Sequence, residues 1–162
     1  MSGNMIVVGM ADINSTKNPG VLTTFGLGSC MGIALYDSVN KVAGLAHAML
    51  PDSKLFANNT NRMKYVDTCI VDLIAKMRLQ GAKKENIKAK LAGGAQMFAF
   101  ASTNDAMRIG ERNIESTLKI LGSMDIPIIG KETGLNFGRT VELYSEDGRF
   151  VIKTVYNGTK TI

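Results

Sequence analysis

Apolar and polar residues alternate along this chain in short runs, and only two stretches carry a helical period. Residues 5–10 and 21–25 read as strands, separated by the turn residues Thr16-Lys17-Asn18-Pro19-Gly20. Residues 31–36 and 42–49 are apolar runs joined by Asp37-Ser38-Val39-Asn40-Lys41, which predicts a β-hairpin. Leu50-Pro51-Asp52 closes it, and residues 53–61, polar and asparagine-rich, predict a loop. From 63 to 79, Val66, Cys69, Ile70, Leu73, Ile74 and Met77 recur at the spacing of one helical face, and Gly81 ends the helix. Residues 86–91 predict a strand running into Gly93-Gly94, where missing side chains let another backbone or a substrate come close. A second helix is expected over 110–121, with Ile114, Thr117, Leu118 and Leu121 inward and Asn104 or Asp105 as its cap. Residues 126–131 and 139–144 predict strands on either side of the loop 133–138. Ser145-Glu146-Asp147-Gly148 then turns into a last strand over 149–156.

Many short strands with two ordinary helices predict an α/β fold with mixed, mainly antiparallel pairing. A length of 162 residues predicts one domain, 1–162, large enough for a substantial core. No apolar run is long enough to cross a bilayer, and the start of the chain lacks a basic leader, so a cytoplasmic protein is expected. The net charge of +5 comes from scattered lysines with few aromatics beside them, a pattern that argues against nucleic acid and suits an acidic partner.

Candidate chemistry concentrates in VLTTFGLGSCMGIALYDSVNKVAGLAHAMLP, residues 21–51, which holds Cys30 and the chain's single histidine, His47. A thiol becomes a useful nucleophile when a nearby base takes its proton, so the question is whether the two meet. A four-residue loop, 38–41, sets Asp37 opposite Val42 and Gly32 opposite His47. Cys30 then shares a face with Gly32 and becomes a diagonal neighbour of His47, with Cα atoms about 7–8 Å apart. A two-residue loop also keeps them on one face, whereas three or five residues put them on opposite faces. Gly26-Leu27-Gly28-Ser29 permits a tight turn with uncovered N–H groups near Ser29 and Cys30, the material of an oxyanion hole. Gly32 and Ala34 are expected to leave room for a substrate side chain.

Other chemistries fit poorly. Gly26 and Gly28 begin a G-x-G-x-x-G pattern that Met31 breaks. One histidine and two cysteines, Cys69 being on the inner stripe of a helix, do not make a usual zinc set, so no metal and no cofactor are expected. There is no C-x-x-C pair for redox work and no disulfide framework. Ser29 competes with Cys30 for the one imidazole, but a thiol is the stronger nucleophile near neutral pH.

The string GLGSC-x-G-I-A-L-Y-D, followed by G-L-A-H-x-M-L-P, resembles the signature of the CheD family, the bacterial chemoreceptor glutamine deamidases. Asn18-Pro19-Gly20, Lys64-Tyr65-Val66-Asp67, Ala92-Gly93-Gly94-Ala95 with Met97-Phe98, and Ile109-Gly110 with Arg112-Asn113 match in the same order. The resemblance implies helices layered on packed β-sheets, an αββ sandwich. It implies a Cys-His-Thr triad, which falls on Cys30, His47 and Thr24, with Gly28, Ser29 and Gly94 as substrate-binding positions. His47 is expected to hold Cys30 as thiolate. The implied substrates are glutamine side chains, and glutamate methyl esters, on the cytoplasmic helices of methyl-accepting chemotaxis receptors. The implied partner is the CheC phosphatase. The alternative is a non-catalytic adaptor that docks on CheC, with Gly94, Met97 and Phe98 on the docking surface, although Met and Phe at this spacing are more often core.

Overall fold

In the computed structural model, which describes residues 4–56, 60–97 and 108–162, the hairpin is the innermost pair of strands. Its strands are apolar on both faces because both faces are covered, so each reads as a continuous run. The chain forms β1 (Asn4–Val7), β2 (Asp12–Lys17), β3 (Gly20–Leu27), β4 (Met31–Asp37) and β5 (Val42–Ala48). These are followed by α1 (Val66–Leu79), β6 (Ile87–Gly93), α2 (Ile109–Ser123), β7 (Ile128–Thr133), β8 (Arg139–Tyr144), β9 (Phe150–Lys153) and β10 (Thr159–Thr161). One sheet has the order β1-β3-β8-β9-β10 and the other β2-β5-β4-β6-β7. Among the described strand pairs, β1–β3 and β6–β7 are parallel and the others antiparallel. None of the described helices is long and apolar enough to cross a membrane.

Alternation along β4 and β5 sorts the two cores. Met31, Ile33, Leu35, Val42, Ala46 and Ala48 face the helices and meet the α1 stripe of Val66, Cys69, Ile70, Leu73, Ile74 and Met77. Cys30, Ala34, Ala43 and Leu45 face the other sheet and meet Leu22, Leu27, Val141 and Leu143. The architecture is therefore α/β, an αββ sandwich with mainly antiparallel sheets. At Gly44 an added Cβ would lie 2.9 Å from Leu73 Cδ1, so glycine lets α1 sit directly on β5.

Several elements depart from the sequence pattern. β2 reads DINSTK, too polar to look like a strand, but it pairs along β5 and its Ser15 donates to Gln80 Oε1 at 2.5 Å. β10 is a fully exposed polar edge strand for which no apolar signal exists. The strand expected over 149–156 stops at Lys153, leaving Val155 and Tyr156 on the surface. α1 begins at Val66, after a short 3-10 turn over Arg62–Lys64, and a similar turn over Ser53–Leu55 interrupts the expected 53–61 loop. On α2 the buried residues are Gly110, Asn113, Thr117 and Leu121, with Ile114 and Leu118 only half-buried. Phe98 and the expected caps Asn104 and Asp105 lie outside the described residues.

Asp37 decides the hairpin loop. Its Oδ1 accepts the N–H groups of Val39 and Asn40 at 2.9 Å each. Oδ2 accepts Asn40 Nδ2 at 2.8 Å and the Lys83 N–H at 2.9 Å. Lys41, at φ 52°, completes the reversal. The loop is thus four residues long, with Asp37 opposite Val42 and Gly32 opposite His47.

Burial pushes the Asp37 carboxyl up, but the donors from Asn40, Lys83 and Val39 outweigh it and leave it below the ordinary 3.8. Because the folded value is the lower one, the stabilisation is complete above pH 3.8 and is lost as pH falls through the folded value. Asp37→Ala is expected to cost about 2–3 kcal/mol in urea unfolding at pH 7, since charge-assisted bonds are lost and N–H groups orphaned. The same variant should show a smaller loss of stability between pH 5 and pH 2.5 than the parent. An unchanged slope there would remove Asp37 as its source.

Candidate active site

β3 and β5 lie in different sheets, yet their side chains meet at one point. Along β3, Thr24 pairs with Val141 and Leu27 with Arg139, so Phe25 and Gly26 together face the single residue Thr140. This bulge, with Gly26 at φ 70°, advances the strand by one residue and lets Thr24 and Leu27 both point inward. His47 points inward from β5, and Thr24 Oγ1 lies 2.7 Å from His47 Nδ1.

The same hydroxyl donates to the Val8 carbonyl at 2.7 Å. A threonine has one hydroxyl proton, and a carbonyl can only accept it. His47 Nδ1 must therefore carry hydrogen and donate to Thr24, which leaves Nε2 with its lone pair. Nε2 is buried and has no hydrogen-bond partner among the described residues. The geometry thus prepares a neutral imidazole whose basic nitrogen is unused.

Cys30 immediately precedes β4 on the inter-sheet face, the face of His47. Gly32 is the direct partner of His47, so Cys30 is its diagonal neighbour, as the four-residue loop requires. Burial pushes the Cys30 thiol above its ordinary 9.0, opposed by its own backbone N–H, and pushes the His47 imidazole below its ordinary 6.5. Both shifts favour the uncharged pair. Desolvation penalises both charges and so works against the standing thiolate expected from the sequence.

Leu27 fills the space that Gly32 was expected to leave for a substrate: an added Cβ there would lie 2.7 Å from Leu27 Cδ1. Ala34 is likewise buried in the inter-sheet core. Cys30 itself is 9% exposed. A groove of about 570 Å³ beside the bulge is lined by Phe25, Gly26, Phe137 and Tyr156, without Cys30 or His47.

The turn itself is held by its carbonyls. Gly28 O accepts the Ala95 N–H at 2.8 Å, and Cys30 O accepts the Gly94 N–H at 2.9 Å. Ser29 O accepts Asn113 Nδ2 at 2.9 Å. The N–H groups of Ser29 and Cys30 are engaged by no other residue among those described. Gly28 and Ser29 are half-buried at the mouth, whereas Gly94 is buried beneath Ile114 and Gly110 of α2. At Gly94 the Ile114 side chain comes closest, with the Gly110 carbonyl next. Met97 is exposed and lies over Gly28, not in the core.

Cys69 is wholly buried under α1 and its thiol is pushed far up by burial, which makes it a packing residue. Among the described residues no three of His, Cys, Asp and Glu are grouped to hold a metal ion. The sequence pattern did not single out the Val8 carbonyl, which carries no side-chain signal. Asn113 did leave one: a polar residue in register with Gly110, Thr117 and Leu121 on a buried helical face.

Comparison with known proteins shows the family. A family model described as CheD chemotactic sensory transduction matches residues 49–154. The probable chemoreceptor glutamine deamidase CheD of Caldanaerobacter subterraneus subsp. tengcongensis is 51% identical over 162 residues, covering 100% of both chains. The chemoreceptor glutamine deamidase CheD of Halalkalibacterium halodurans is 51% identical over 160 residues, 98% of this chain and 99% of its own. Among solved structures, the hypothetical protein YfiH of Bacillus licheniformis aligns with 76% of this chain and 49% of its own at 15% identity. Its TM-score of 0.42 is too low to bear on the site. The family model begins after His47, but the curated relatives run through Thr24, Cys30 and His47 as well, and with matches of that extent the chain belongs to the CheD family.

Proposed function

We propose that this protein is a chemoreceptor glutamine deamidase in which Cys30 is the nucleophile, His47 the base and acid, and Thr24 the residue that orients the ring. The observation that carries the reading is the Val8–Thr24–His47 chain of hydrogen bonds, which leaves Nε2 unprotonated on the face that Cys30 shares. The relatives named as chemoreceptor glutamine deamidases supply the substrate class.

His47 Nε2 takes the thiol proton as sulfur attacks the carboxamide carbon, so proton transfer accompanies C–S bond formation and no ion pair is stored beforehand. The carbonyl oxygen becomes an oxyanion and accepts the N–H groups of Ser29 and Cys30. When the tetrahedral intermediate collapses, the C–N bond breaks and the imidazolium returns its proton to the nitrogen, which leaves as ammonia. Nε2 then deprotonates water, which attacks the thioester carbon. The C–S bond breaks, the thiol is restored and glutamate remains. A glutamate methyl ester enters the same sequence with methanol as the leaving group. No hydrogen bond links Nε2 to the thiol in the resting protein, in keeping with catalytic contacts that tighten only when substrate is bound.

Cys30→Ala and His47→Ala are each expected to lower conversion of receptor glutamine to glutamate by at least roughly 10⁴-fold, read as loss of the mass increase of about one dalton per site. Thr24→Val, which frees the ring to turn over, should cost roughly 10- to 100-fold. Conversion that survives in Cys30→Ala would end the mechanism.

The pH profile is a separate test. Only neutral His47 is a base, and its folded value lies below 6.5, so the acid limb of kcat/KM should fall below pH 6.5. The linkage has the matching sign: the unfolded chain protonates first, so His47 lowers stability as pH drops from 6.5 through the folded value. An acid limb above pH 6.5 would contradict a desolvated neutral base.

A further inference from the structure

Asn113 sits on the buried face of α2, and its side-chain nitrogen donates twice, to Ser29 O at 2.9 Å and to Met49 O at 3.0 Å. Both neighbours of that nitrogen are carbonyls, so the amide has only one workable orientation. Its oxygen, Oδ1, is buried and has no hydrogen-bond partner among the described residues. Among the described residues it is the donor end of the amide that is engaged.

What the donor end holds is informative. Ser29 C=O and Cys30 N–H belong to one planar trans peptide and point in opposite directions, so pinning the oxygen aims the N–H. The neighbouring carbonyls, Gly28 O and Cys30 O, are pinned by the main chain of Ala95 and Gly94. The Ser29 carbonyl is the one in this turn that a side chain holds. Met49 lies just past β5, two residues beyond His47, so the second bond ties the cysteine turn to the end of the histidine strand.

We propose that Asn113 is a positioning residue that directs the Cys30 N–H toward the developing oxyanion and locks the nucleophile turn to the strand carrying His47. The assignment builds on the deamidase reading, but it concerns any acyl transfer to Cys30. Thr117 provides a control on the same face: its hydroxyl is buried and donates to Asn113 O at 2.8 Å without touching the turn.

Two reactions of Cys30 separate positioning from structure. Acylation by p-nitrophenyl acetate forms a C–S bond, passes through an oxyanion and expels p-nitrophenolate, while the thiol proton leaves to His47 or solvent. Alkylation by iodoacetamide displaces iodide at an sp³ carbon and forms no oxyanion. Asn113→Ala is expected to slow acylation roughly 10- to 100-fold, within the range for losing an oxyanion donor, and to change alkylation by less than about 3-fold. Receptor deamidation should fall by the same factor in kcat with KM nearly unchanged. Thr117→Val should stay within about 3-fold of the parent in all three assays. The proposal is overturned if acylation is unaffected, if alkylation falls in step with it, or if Thr117→Val loses as much. Should Asn113→Ala not fold, Asn113→Leu, of similar volume and without the donor, is read in the same way. Failure of both to fold would make Asn113 a folding residue and overturn the assignment too. A parent protein that acylates at Cys30 but leaves receptor glutamines intact would refute the deamidase reading and not this one.

Discussion

The hydrogen bond between Thr24 and His47 joins the two sheets at the candidate site. It spans the sandwich from β3 to β5, and its direction is dictated by a third group, the Val8 carbonyl. Ring orientation, tautomer and the free Nε2 all follow from a single proton having nowhere else to go. The bond exists because of two local irregularities: the bulge at Phe25 and Gly26 that turns Thr24 inward, and the four-residue loop that turns His47 toward the same side.

The sequence made some of this legible and concealed the rest for physical reasons. The β4–β5 pairing and the α1 stripe follow from period and turn residues, whereas the layering of helices on two sheets was what the family resemblance implied. The face shared by Cys30 and His47 depended on loop parity. That parity is set by Asp37, whose carboxylate gathers three N–H groups, of Val39, Asn40 and Lys83, and the Asn40 side chain. Turn composition announces a loop there without giving its length. Thr24 could not be reached by counting alternate residues, because a bulge adds a residue that no alternation anticipates. β2 and β10 were hidden because their strand character comes from partners and not from their own apolar residues.

The turn carrying Cys30 is supported from below by close backbone contacts. Gly93, at φ 105°, lies where any side chain would strike the Cys30 carbonyl, and Gly110 lies where one would strike the Ala95 carbonyl. α2 can therefore bring Asn113 within reach of Ser29. Beneath the same strand end, buried Arg139 pairs with Glu132 at 2.8 Å and donates to Gly134 O at 3.0 Å, with its guanidinium 4.5 Å above the Phe137 ring. A charge this deep is tolerable only because it is paired and its donors are used. The result joins β8 of one sheet to the ends of β6 and β7 in the other, and keeps the floor of the turn rigid.

A neutral threonine where many triads use a carboxylate changes how the site must work. A carboxylate stabilises the imidazolium and raises its pKa, whereas a hydroxyl already committed to a carbonyl offers only a dipole. In the buried setting of His47 the charged ring is disfavoured, so in the proposed mechanism the imidazolium is short-lived, between accepting the thiol proton and delivering it to the departing nitrogen. The same desolvation pushes the Cys30 thiol up and favours its protonated form. A thiol that is not standing as thiolate is a poor target for oxidants and stray electrophiles, because the thiolate is the reactive form. In the proposed mechanism the burden of catalysis moves to groups that act only in the transition state, the N–H groups of the turn, and their aim depends on what holds the other end of each peptide.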